Sequence, residues 1–425
     1  MKIFFTLLFF VLLVSNLNAK FGGGDGSQSA PYQIWNKAHL EALADSVNFG
    51  YNWSKNKYFK VMDNIEDSIK TVIGYYTDEI FIDTIYVHAF QGDFDGNNKK
   101  ITLAIARDIN GYYLGVFGMT FNANIYDLIV DGLVNGRDYI GGICGGGRNS
   151  NILNCINYCK IEGISRVSGI CGAIIYNGNI SNCINYGIIS GYGNDVGGIC
   201  GYNYESNISN CINYKNIEGI IMYIGGICGS GSLVDISNCI NYGNIEDKKY
   251  TSTYVGGIVG YVSGNLLHCK NFGNISGKEA IGGITGCLSD FVKDVSKLSY
   301  CENSGNISGV FAVGGISGHT HDYTEYSYCI NIGTIKGDSL IGGIAGGFDN
   351  NNAPRNGNIY NSVNSGLVIG KEIVGGIMGR CRGEIRNCIN TNVVKGNTKW
   401  GCIVGENQGG TIINCHYDKQ MCGGF

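Results

Sequence analysis

From about residue 112 onward, the apolar residues fall in runs of four to eight, cut by glycine and asparagine at a fixed period. A Gly-Gly-Ile-x-Gly string begins at Gly141, Gly197, Gly225, Gly256, Gly282, Gly314, Gly342 and Gly375. Looser copies stand at Gly115, Gly169 and Gly401, and the mean interval is about 29 residues. A second block follows each string, clearest as Asn-Cys-Ile-Asn-Tyr-Gly. Residues 182–191, 210–219, 238–247 and 387–396 align in it without a gap. Short runs rich in Ile, Val and Tyr, bounded by turn residues, predict strands rather than helices. A unit of this length cannot bury an apolar face alone, so the copies must stack. Three short strands per repeat suit one coil of a parallel β-helix, giving an all-β solenoid of about 10–12 coils. Coils spaced by ~4.8 Å make a rod of roughly 50 Å.

Stacking places equivalent positions above one another. Ile189, Ile217, Ile245, Ile275, Ile307 and Ile335, continued by Val368 and Val394, predict a buried apolar ladder. Asn157, Asn185, Asn213, Asn241, Asn271, Asn303, Asn331, Asn364 and Asn390 predict a ladder of side-chain amides, since each amide both donates and accepts. Leucine at Asn241 should then cost ~1–3 kcal/mol by orphaning its neighbours. The paired glycines fit corners that need positive φ or close backbone approach.

The pattern before residue 89 differs. Residues 1–19 read as a secretory signal peptide, with Lys2, an apolar stretch from Ile3 to Val14, and a small residue at Ala19. The stretch is shorter than the ~20 residues of a membrane span, so no spanning segment is expected after cleavage. Residues 20–88 read as a small α/β cap, with Leu40, Leu43, Ala44 and Val47 at helical spacing. Residues 89–415 are the repeats and 416–425 a tail.

Composition sharpens this picture. There are 68 glycines but only 2 prolines in 425 residues, which excludes collagen. A hydrophobic content of 44 % excludes disorder. A net charge of −4 without basic runs argues against nucleic acid as a partner.

The repeat resembles the GLUG-motif repeats of bacterial surface proteins, with Val255–Gly260 (VGGIVG) as the nearest copy. Residues 90–101 (FQGDFDGNNKKI) resemble the lead-in that often precedes such repeats. Residues 32–44 (YQIWNKAHLEALA) resemble the opening strand and helix, and residues 415–420 (CHYDKQ) the closing segment. The resemblance implies a surface location and lends no catalytic residues.

The chemistry-bearing residues add little. Cys155, Cys183, Cys211, Cys239, Cys269, Cys301, Cys329, Cys388 and Cys415 share one repeat column, with Ser362 in the remaining place. Cys144, Cys171, Cys200 and Cys228 share another, continued by Val259. Columns that accept Ser or Val select small size, so mostly free buried thiols are expected, with Cys415/Cys422 as the exceptional pair. The His319–His321 cluster could bind a metal but reads as incidental to an exposed loop, and Asp93, Asp95 and Asn97 read as a turn, since Gly96 and Ala104 do not fit a calcium loop. No metal or cofactor is therefore predicted.

Three adjacent repeats carry long connections, at 287–300, 319–328 and 347–360. They predict a patch containing Phe291, His319, His321, Tyr323, Tyr326, Phe348 and Arg355. Aromatic and Arg residues are those enriched at binding hot spots. The expectation is a secreted or cell-surface repeat protein with a structural, adhesive or binding role toward a protein or glycan on a host or matrix surface. The alternative is a polysaccharide-active β-helix enzyme, which needs two carboxylates flanking a sugar.

Overall fold

A computed structural model describes residues 20–76, 86–106, 111–247, 251–289, 295–321, 323–347 and 357–422. Residues 1–19, expected above to be a signal peptide, and Phe291, Phe348 and Arg355 lie outside the described residues. The chain is a parallel β-solenoid of about 13 turns, with 55 % of residues in strands and, among the described residues, a single helix. None of its helices is long and apolar enough to cross a membrane, among the described residues.

Six of the coils contain five short strands rather than the three expected, and in others neighbouring strands run together. In one coil these are Asn194–Gly197, Cys200–Tyr204, Asn207–Ser209, Ile212–Asn213 and Ile217–Gly219. The first strand of each such coil joins an 11-stranded parallel sheet, and nearly all the others join a 40-stranded sheet. The break before the cysteine column falls at a left-handed residue, such as Asn182, Asn210, Asn238 or Asn387. Asparagine tolerates that conformation better than other non-glycine residues.

The helix Lys37–Phe49 is capped by Asn36, whose side chain accepts from the His39 amide. It buries Leu40, Leu43, Ala44 and Val47 against the first coils. The sheet continues through this region without a break at residue 88. Tyr32 pairs with Phe59, Phe59 with Phe94, and Phe94 with Ile125. The strands Tyr32–Ile34, Tyr58–Val61 and Ile65–Ile69 thus stack as coils, which accounts for a turn count above 10–12.

The apolar ladder runs as expected from Ile189 to Val394 and extends back through Ile161 to Val134 and Ile105. The asparagine ladder is continuous from Asn157 to Asn390. Each side-chain Nδ2 donates to Oδ1 of the next rung at 2.7–2.8 Å. Its second hydrogen goes to the carbonyl two residues on in its own coil, as from Asn241 to Gly243 at 2.8 Å. All nine amides are buried, and this double donation lets the core hold them.

The glycine pairs have a different reason from positive φ, which none of the motif pairs adopts. The second glycine makes room for the ladder. A Cβ on Gly226 would lie 2.4 Å from Asn241 Cγ and 2.1 Å from the Gly257 carbonyl oxygen. Gly198, Gly257, Gly283, Gly315 and Gly343 stand in the same relation to the asparagine of their own coil.

The cysteine column is buried from Cys155 to Cys388, and its thiols donate to backbone carbonyls two residues back, as Cys183 does to Ser181 at 3.4 Å. Burial pushes the Cys329 and Cys388 thiols up to about 12, so they stay protonated. Sixteen cysteines are free. The disulfide joins Cys402 to Cys422, not Cys415 to Cys422. Cys415 follows its column inward, with its thiol 3.3 Å from the Ile413 carbonyl oxygen.

Candidate functional site: an aromatic groove beside the double-glycine strands

The residue two places before the glycine pair is left-handed in ten successive coils, with φ between 52° and 61°. Six of these residues are large or charged: Tyr113, Tyr139, Arg166, Asp195, Tyr223 and Tyr254. The next four are Ala280, Ala312, Leu340 and Ile373. The strand pairing skips them, for example from Ser165↔Asp138 to Val167↔Ile140, so each is a left-handed bulge in the backbone that is matched on the neighbouring strand, with no extra residue on either and the register kept. The last glycine of the motif allows this geometry. A Cβ on Gly229 would lie 2.5 Å from the Asp195 carbonyl carbon.

The bulged column faces a second one, in which Met119, Gly146, Ala173, Tyr202, Ser230, Tyr261, Cys287 and His319 pair in register. Contacts cross between them. Arg166 lies over the Tyr139 ring at 4.6 Å and the Tyr202 ring at 5.7 Å. The Ser230 hydroxyl donates to Asp195 at 2.5 Å, and Tyr223 meets Tyr261 at 5.6 Å between centroids.

The groove opens into a cleft at its N-terminal end, lined by Met119, Gly146, Gly147, Ala173 and Ile175, with the Tyr113 ring and the Met119 sulfur packed over Gly146. Tyr76, Tyr86, Tyr113, Tyr139, Arg166 and Tyr202 surround it. Tyr76, Tyr113 and Tyr139 are stacked, with centroid distances of 5.4 and 4.3 Å. Burial raises the Tyr113 and Tyr202 hydroxyls above their ordinary range and Tyr254 to about 12. The phenols are therefore neutral hydrogen-bonding groups at physiological pH. Burial also raises the Asp195 carboxyl, opposed by the Ser230 hydrogen bond and by Arg166, whose Nε lies 4.0 Å away. No carboxylate lines the cleft among the described residues. This chemistry suits binding through hydroxyls, rings and one cation.

The residues proposed from the long connections divide. The strands flanking those connections do stack, with Leu298 on Tyr326 and Tyr326 on Ile359. Tyr323 is exposed at 56 %, and His321 also reaches the surface. Tyr326 does not belong to a surface patch. It is a fully buried rung of the column occupied by isoleucine and leucine in neighbouring coils, and its hydroxyl donates to Ser317 at 3.1 Å. His319 is also buried, edge-on to Tyr254 and Phe311. Ser317 and Ala345 are small enough to admit the larger Tyr326 ring. Among the described residues no group of three His, Cys, Asp or Glu side chains is arranged to hold a metal ion.

The groove was missed from sequence because its residues sit in the variable position just before the motif. The available signal was the bulky series Tyr113, Tyr139, Arg166, Tyr223, Tyr254 at a constant offset.

No family model matches the chain, and no curated protein matches it. A solved structure from Bacteroides ovatus, described as a "putative immunoglobulin A1 protease", is similar at 19 % identity and a TM-score of 0.48. The match covers 68 % of this chain and 80 % of that one. At that level it assigns no activity.

Proposed function

We propose that this protein is an exported repeat protein, secreted or held at the cell surface, that binds a protein or glycan along its solenoid. Kinship with GLUG-motif proteins is part of the reading. The observation that supports it best is the groove, where bulged positions that hold Ala, Leu or Ile in later coils hold tyrosine and arginine instead. Such residues dominate binding energy where they cluster. The leader-like segment 1–19 supports export.

A screen of the full chain against glycans and matrix proteins tests the binding role, with Tyr139→Ala and Tyr202→Ala expected to lower affinity at least tenfold. Fractionation of the source cells tests export, and retention in the cytoplasm would refute it. A polysaccharide-degrading activity is the second reading. The absence of a carboxylate pair among the described cleft residues weighs against it, and release of reducing ends from polysaccharides would favour it.

A further inference from the structure

We propose that the cleft around Arg166 recognises a carboxylated sugar, a uronic-acid unit of a glycan chain; this rests on the binding role above. Arg166 sits where the bulged column and the facing column meet, over two tyrosine rings and about one-third exposed. Its acidic neighbour satisfies it poorly. Asp195 approaches its Nε at 4.0 Å and accepts a short hydrogen bond from the Ser230 hydroxyl instead. The guanidinium end, a planar fork of donors, matches a carboxylate in two-point contact.

The rest of the cleft fits a pyranose better than a peptide. Neutral phenols surround it, and Met119, Ala173 and Ile175 supply apolar surface between the tyrosine rings. Sugars present several hydroxyls that need such partners, together with apolar C–H faces that suit Met119 and Ala173. An extended peptide would bind by adding a strand to a free edge. The strands beneath the cleft offer none, because Cys171–Ile175 pairs on both sides, with Cys144–Arg148 and with Cys200–Tyr204.

The test measures affinity of the full chain for three oligosaccharides of equal length: an oligogalacturonate, its methyl ester, and a sulfated galactan oligomer. The expected result is that the oligogalacturonate binds at least tenfold more tightly than its ester and several-fold more tightly than the sulfated chain. Arg166→Lys should lower the first affinity about tenfold and leave the ester unchanged. Arg166→Asn, which tolerates the left-handed backbone, should do the same with an unchanged melting midpoint. Equal binding of acid and ester, or of acid and sulfate, would overturn the carboxylate assignment and leave the binding role standing. Tight acid binding that survives both Arg166 variants would overturn the location. Failure of all three sugars would overturn the proposal; a protein hit in the wider screen would then keep the binding role, and no hit anywhere would end that as well.

Discussion

Replacing Asn241 by leucine tests the physical core of the fold. The two side chains have nearly the same shape, and the residue is fully buried, so the change is one of polarity. Asn241 accepts from Asn213 and donates to Asn271 and to the Gly243 carbonyl, each at 2.8 Å. Leucine orphans one donor and two acceptors in a dry interior, at ~1–3 kcal/mol each. Added apolar burial returns about 1.5–3 kcal/mol, leaving a net loss near 3 kcal/mol. Asn390 gives the contrast. It accepts from Asn364 and donates to Asn392, but its onward neighbour is Tyr417, so the ladder stops there. Asn390→Leu orphans two groups and should cost about half as much. Urea midpoints for both variants read the difference. Hydrogen exchange across residues 238–274 locates it, since long repeat arrays unfold in parts. An unchanged midpoint for Asn241→Leu, or equal losses at both sites, would refute the cooperative ladder.

Other outcomes follow from neighbouring features. Gly226→Ala forces a Cβ against a backbone oxygen at 2.1 Å and should cost more than ~2 kcal/mol. Gly147→Ala, whose nearest neighbour is the Thr120 hydroxyl at 3.1 Å, should cost less than ~1 kcal/mol in thermal melts. Alkylation of denatured, unreduced protein should label 16 of the 18 cysteines and leave a Cys402–Cys422 peptide pair in mass spectra; widespread oxidation would contradict the buried column. Burial raises the Asp195 carboxyl above its unfolded value, so the folded state holds its proton more tightly. Stability is full below the unfolded pKa of about 3.9 and falls as pH rises toward the folded one. Asp195→Asn should flatten that step in melting midpoint against pH, and an unaltered profile would show that the carboxyl plays no such part.

The glycine pairs and the asparagine column are one device, visible at the ends of the array. In the coil before the ladder starts, the second-glycine position holds Val116, and Val130 stands where the asparagine would be. In the last coil Cys402 holds that position, and Tyr417 stands in the ladder column. Where no amide needs the space, a side chain occupies it. At the C-terminal end that side chain ties the tail down through Cys422.

Period, strand content and the two ladders were all legible in the residues. A parallel coil stacks position on position, so a column in the alignment is a column in space. Free, small, buried cysteines followed from the same logic, because Ser362 and Val259 complete their columns. Three things depended on tertiary structure. The strands at Tyr32–Ile34 and Tyr58–Val61 carry no repeat motif, yet they stack because their backbones meet the next coil in register. Tyr326 resembled a loop aromatic until the strands after the long connections realigned and placed it in the core. The groove exists only because a left-handed residue in each coil stands opposite a strand from a different part of the repeat. Sequence spacing records what lies above and below along the axis; what faces across the coil is set by where each chain segment turns.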